Sequence, residues 1–271
     1  MANFHSDEWI MARLNEHYDE ALTLFPKERI LGIFYQGSGN YGLDVENSDV
    51  DTKLIVLPTI DEIVFNKRPV STTHIRKNDE HIDLKDVRLY FNTFYKQNLN
   101  FLEILFTPYF IINPEYEDLW SELVYRNEDV ARMNPLRGLK SMKGIALEKY
   151  HAMEHKYPSK VKVLEKFGYD PKQLHHLVRV YEYIQRYIEG EPYKDCLISK
   201  KSEELKEVKS GYYSLPEARV IADATIKNVD LMVDEYCKDL SNESDPVIKE
   251  FLDDLQSRII KRALTKELLN G

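Results

Sequence analysis

Asp49 and Asp51 are separated by one residue and follow a glycine-rich turn, Gly37-Ser38-Gly39-Asn40-Tyr41-Gly42. In a strand, successive side chains point to opposite faces, so the two aspartates share a face and Val50 and Thr52 take the other. Two carboxylates on one face repel each other, and both stay ionised when a cation is held between them. Oxygen-only ligands of this kind suit Mg²⁺ or Mn²⁺. The turn supplies the complement, because Gly37, Gly39 and Gly42 let the backbone come close to an anion and aim N–H groups at it. A short helix over Gly39 to Leu43 would add the pull of its N-terminus. Metal on one side and phosphate on the other is the layout of a nucleotide site.

Two strands must bracket that turn. Ile30 to Tyr35 is an apolar run that reads as the first, and Asp49 to Leu57 reads as the second. Before them, helical spacing runs from Trp9 to Leu24 and stops at Pro26. After them, Pro58 ends the second strand and Thr59 can cap a short helix over Asp61 to Phe65. A hairpin follows: Val70 to Lys77, a turn at Asn78-Asp79, and Glu80 to Lys85. By alternation Asp83 faces away from Ile82 and Leu84, so it can join Asp49 and Asp51 if its strand lies beside theirs. Asp86 stands where the pattern turns helical and reads as the cap of a helix from Val87 to about Gln97. Beyond Leu99 the apolar spacing is helical over 100–106, 117–127, 135–155, 159–167, 171–189, 215–239 and 246–269, with a further strand at Tyr109 to Ile112. The expected fold class is α+β, a small mixed sheet carrying the site and then a mostly helical second half, with domains at 1–113 and 114–271.

The motif also carries a resemblance. Gly37-Ser38, ten residues, Asp49-Val50-Asp51 and a later carboxylate in an apolar strand resemble the signature of the DNA polymerase beta-like nucleotidyltransferase superfamily. The longer strings, Gly-Ser-Gly-Asn-Tyr-Gly-Leu-Asp at 37–44 and Ser-Asp-Val-Asp-Thr-Lys at 48–53, are similar to the RNA-repair-pathway DNA polymerase beta family. The resemblance is close over roughly the first third of the chain, and a second patch near Gly168 supports it. It implies a nucleotidyltransferase core in which two divalent ions, Mg²⁺ or Mn²⁺, hold the nucleotide's phosphates and the attacking hydroxyl in line. Asp49 and Asp51 would bind both ions. Asp83 would bind the ion that activates the acceptor hydroxyl, or serve as a base. Pyrophosphate would leave with the other ion against Ser38 and the Gly37–Gly39 backbone.

Ser38 and Asn40 can each donate a hydrogen bond to a phosphate oxygen, and Tyr41 could lie against a sugar or base; Asn40 and Tyr41 could equally be local turn residues. Lys53 projects onto the face of Asp51, where it either neutralises phosphate charge or forms a salt bridge with an aspartate. Asp44 and Glu46 read as turn or capping residues. In the second patch, Gly168-Tyr169-Asp170-Pro171-Lys172, Pro171 fits the first turn of a helix and Asp170 its cap, which places Lys172, His176 and Arg179 along one side. The family resembles this, with a Gly-Tyr-Asp turn and then a lysine, a histidine and an arginine; Gln173 stands where another histidine is expected. Such a face suits a triphosphate or an incoming strand, and its plainer alternative is a capped helix with a core histidine. Lys140 and Lys143, nearly one turn apart, are further candidates for phosphate contact. His151 and His155 have the spacing of an inverted zinc-peptidase motif without an evident third ligand.

Composition bounds these readings. The chain has 271 residues, 37 Lys and Arg against 46 Asp and Glu, and a net charge of −9, so as a whole it does not attract polyanions. Residues 132–172 are the exception, with ten basic and four acidic residues. That window is the one stretch suited to facing phosphate, or it is a solvated helix face. Two cysteines, Cys196 and Cys237, lack metal-ligand spacing and suit a reducing compartment. No apolar run reaches the ~18 residues of a membrane span and the N-terminus does not read as a signal peptide, so cytoplasmic residence is expected. The expectation is a Mg²⁺-dependent enzyme that transfers a nucleoside monophosphate from a nucleoside triphosphate to a hydroxyl, the resemblance pointing to an RNA end, a tRNA end included. Transfer to a protein, small molecule or second nucleotide is the first alternative, and a catalytically idle nucleotide sensor the second.

Overall fold

The computed structural model describes residues 4–46 and 48–270; Asn47, inside the glycine–aspartate motif, lies outside the described residues. The strands are β1 (Ile30–Gln36), β2 (Asp51–Val56), β3 (Ser71–Ile75), β4 (His81–Asp86) and β5 (Phe110–Ile112). The helices of the first half are α1 (Asp7–Leu24), α2 (Ile60–Val64), α3 (Val87–Tyr95), α4 (Leu99–Leu102), α5 (Glu117–Tyr125) and α6 (Asn127–Arg132). Then follow α7 (Pro135–Ala152), α8 (Val161–Phe167), α9 (Pro171–Ile188), α10 (Tyr193–Leu197), α11 (Ser202–Ser210), α12 (Leu215–Tyr236) and α13 (Pro246–Asn270). The class is α+β, a five-stranded mixed sheet followed by helices.

Punctuation in the sequence explains most boundaries. Thr59 and Glu62 form a reciprocal capping box that starts α2. The Asp86 carboxylate accepts the Arg88 N–H at 2.8 Å and begins α3. Asp79, with φ of 63°, makes the left-handed corner of the β3–β4 hairpin. Three features differ from the expected elements. The second strand begins at Asp51 rather than Asp49. The glycine turn closes as a single 3₁₀ turn, Ser38–Tyr41, too short for a helix dipole of any consequence. Helices α10 and α11 fill a stretch with no expected element.

The chain forms two compact units, residues 1–133 with 243–271, and 134–242. The first unit takes in α5, α6 and α13 beside the sheet, with α13 packing on α3 and α5. On α13, buried Ile248, Leu252, Leu255 and Ile259 recur at helical spacing, Arg262 pairs with Asp118 at 2.6 Å, and Tyr95 donates to Asp253 at 2.7 Å.

In the first unit the sheet order is β3-β4-β2-β1-β5, with β2 and β4 parallel and the other pairs antiparallel. One face carries Ile33, Tyr35, Leu54, Val56, Ile82 and Leu84 and packs on Ile10, Leu14 and Ala21 of α1. The opposite face meets aromatic groups: Phe34 lies 4.5 Å from Trp120 between ring centroids, and Phe101 stands over Lys53. In the second unit α9 is the central helix, with α7, α10, α11 and α12 around it and Leu174, Leu177, Val180, Ile184 and Tyr187 buried.

Candidate functional site

The end of β1 and the starts of β2 and β4 lie at one edge of the sheet, since Gln36 stands opposite Asp51 in the antiparallel pair and β4 runs parallel to β2. The glycine turn leaves β1 there, so the turn and the first two aspartates are brought together. Asp49 is exposed and Asp51 half-buried, while Val50 and Thr52 are buried, as alternation requires. Asp51 Oδ1 accepts from the His81 backbone N–H at 2.9 Å and lies 3.1 Å from His81 Nδ1.

Asp83 is on the same face, on the strand beside β2. It stands opposite Lys53, two residues further along than Asp51. Lys53 Nζ donates to Asp83 Oδ2 at 2.8 Å, and Lys85 Nζ lies 3.5 Å from Asp83 Oδ1. Lys53 is buried, with Nζ 4.1 Å from the Phe101 ring centroid, and Lys85 Nζ is 4.9 Å from the same ring. Burial pushes the Lys53 ammonium below its usual range, with the charge of Asp83 acting against that. Asp83, named for a shared ion with Asp49 and Asp51, is therefore already engaged by ammonium groups. Among the described residues no group of three His, Cys, Asp or Glu is placed to hold a metal ion. Asp49, exposed, and Asp51, half-buried, suit one divalent cation in donor type, while Asp83 faces Lys53.

The turn is fixed from below by Tyr35. Its buried hydroxyl accepts the Gly39 N–H at 3.1 Å, and a Cβ at Gly39 would come within 2.7 Å of that oxygen. Gly37, at φ 151° and ψ −177°, adopts a backbone conformation open to glycine alone. The Gly39 N–H thus points at a phenol, and the Asn40 and Leu43 N–H groups bond within the turn, to Gly37 O at 3.1 Å and Ser38 O at 3.0 Å. Ser38 Oγ is half-buried and donates to Ser48 Oγ at 3.2 Å. Asn40 serves the turn: Nδ2 donates to Tyr35 O at 3.1 Å and Oδ1 accepts from Thr107 at 2.7 Å. Tyr41 is buried, and Asp44 accepts from the Phe4 and His5 N–H groups.

On the α1 side a buried cluster holds the other flank of β2. Glu80 Oε1 accepts the Val50 N–H at 3.1 Å, and Glu80 Oε2 accepts from His17 Nε2 and from Arg76, both at 2.9 Å, and from Arg13. His17 Nδ1 lies 3.0 Å from Thr52 Oγ1. Burial would raise the Glu80 carboxyl, but the hydrogen bonds, His17 foremost, and the guanidinium charges bring it down to about 2. Burial, the leading cause, also lowers His17.

The second patch folds as its residues predict: Asp170 caps α9 by accepting the Lys172 N–H at 3.0 Å, behind Gly168 at φ 79°. Lys172 is exposed, and His176 and Arg179 are half-buried. Burial, with Arg179 adding to it, drives His176 well below the usual imidazole range, so it is uncharged at neutral pH. Its neighbour His175 is the core histidine, with Nδ1 2.8 Å from Leu205 O. Lys143 is held by Asp234 at 2.7 Å and Asp230 at 3.1 Å, and Lys140 is exposed. His151 is on α7 and His155 lies past its end, so the two do not share a helix face. Lys140, Lys143, Lys172, His176 and Arg179 all belong to the second unit.

Sequence reasoning passed over His81, Lys85, Phe101, Tyr35 and the His17–Glu80 cluster. Lys85 carried a signal, standing two residues beyond Asp83 on the same face; Phe101 and His17 carried none. Comparison with family models and with curated proteins gives no match. Among the described residues no helix is long and apolar enough to cross a membrane.

Proposed function

We propose that this protein is a divalent-metal-dependent nucleotidyltransferase of the DNA polymerase beta-like kind that its motif resembles. The observation that carries the reading is the meeting, at one sheet edge, of the tyrosine-braced Gly37–Gly42 turn with the exposed Asp49 and the half-buried Asp51. Asp49 and Asp51 would hold a Mg²⁺ or Mn²⁺ ion, which when bound neutralises the triphosphate and orients it. Ser38 and Gly37 border the phosphates, while the chain's other turn groups keep the loop in shape. A hydroxyl oxygen of the acceptor bonds to the α-phosphorus, the bridging bond to the β-phosphate breaks, and pyrophosphate departs with that electron pair as the hydroxyl proton is lost to water. Positioning and charge are the main means of acceleration. The acceptor we favour is an RNA end, on the strength of the resemblance and of the exposed lysines of residues 132–172, and the two free cysteines accord with a cytoplasmic setting.

The test is incubation with Mg²⁺, each of four labelled nucleoside triphosphates and total RNA, read on a denaturing gel. A discrete labelled RNA is expected, with Asp49→Asn and Asp51→Asn each lowering its yield about 100-fold or more, the scale for losing one charge-stabilising group. Label on protein or in a small product would move the acceptor class. Unchanged labelling in both variants would sink the proposal.

A further inference from the structure

We propose that the Lys53 ammonium permanently fills the second cation position of this site, so that the protein takes one divalent ion, at Asp49 and Asp51, instead of two. The proposal rests on the nucleotidyltransferase reading and deepens it. Lys53 and Asp83 are direct partners across β2 and β4, so backbone pairing sets them side by side. Their side chains meet at 2.8 Å, and Lys85 engages the other carboxylate oxygen at 3.5 Å. Lys53 is only 5% exposed, and Phe101 covers it.

For Asp83 to turn to a metal ion it must give up both ammonium groups. Lys53 would then be a buried charge without its counter-ion, the costly way to break such a pair. An ion arriving beside Asp83 would also meet two positive charges at close range. A lysine ammonium is a compact point charge well suited to phosphate, so it can neutralise charge at that position without a metal. Asp83 then acts as a positioning residue that holds Lys53 at the face.

The experiment is equilibrium dialysis of the full chain against Mn²⁺ and an α,β-methylene nucleoside triphosphate, with both metal and nucleotide counted per chain. One bound Mn²⁺ at saturation is expected. Two would overturn the proposal and leave the nucleotidyltransferase reading standing; none, with no nucleotide bound, would overturn both. Lys53→Met removes the charge at similar length and leaves Asp83 only the more distant Lys85 ammonium, at 3.5 Å, and the count is expected to rise to two. If a folded Lys53→Met variant still binds one, Lys53 is not what excludes the second ion. Should that variant not fold, the count on the unaltered protein still decides.

Discussion

Replacing Glu80 by glutamine keeps the side chain's shape and removes the charge on which His17, Arg13, Arg76 and the Val50 N–H converge. The carboxyl falls from 4.5 to about 2 in the folded chain, and at 1.36 kcal/mol per unit that depression corresponds to about 3 kcal/mol of stability. Because the folded value is the lower one, the contribution is fully present above pH 4.5 and is lost as the pH falls from there toward 2. Glu80→Gln should therefore destabilise the sheet unit by about 3 kcal/mol at pH 7 and by only about 1 kcal/mol at pH 3. Urea unfolding followed by tryptophan fluorescence isolates the effect, because Trp9 and Trp120 are the two tryptophans of the chain and both lie in that unit. A loss under about 1 kcal/mol at pH 7, or a gap that keeps its size between pH 7 and pH 3, would refute the reasoning.

Gly39→Ala drives a methyl group into the Tyr35 hydroxyl and should cost about 1–3 kcal/mol by overpacking. In a double-mutant cycle, Tyr35→Phe should recover part of that loss, with a coupling of at least about 0.5 kcal/mol; strict additivity would mean the clash is not with that oxygen. In the second unit, Asp170→Ala removes both the α9 cap and the partner of Lys160 at 3.0 Å. A loss of about 1–2 kcal/mol in far-ultraviolet circular-dichroism melts is expected, and an unchanged midpoint would deny the cap its role.

Elements with a local signature were legible in the sequence. Pro26, Thr59, Asp86, Asp170 and Pro171 mark ends because each acts on backbone groups within a few residues of itself, and alternation alone puts Asp51 and Asp83 on one face. What escaped depends on partners distant in sequence. Helical spacing on α13 shows which side is apolar, but not that Ile248 and Leu252 pack with the sheet unit rather than with the helices just before them. The Asn40 and Gly39 roles depend on Thr107 and on the Tyr35 hydroxyl folding back beneath the turn. His17 is one polar residue on an amphipathic helix, and its meaning appears only when Glu80 is brought up from the hairpin.

The same limit decides the chemistry at Asp83. A period of two fixes the face of a residue, whereas its partner is set by strand register. Had β4 been shifted so that Asp83 stood opposite Asp51, two carboxylates would adjoin and call for a cation between them. The observed register puts Asp83 opposite Lys53 and His81 beside Asp51. The residue two further on from Asp51, and the one two further on from Asp83, are both lysines on that face. Three carboxylates against two ammonium groups leave it one net negative charge. One divalent ion would reverse that charge, and a bound triphosphate would turn it negative again. The register partner of Asp83, Lys53, is therefore what sets its position apart from that of Asp51.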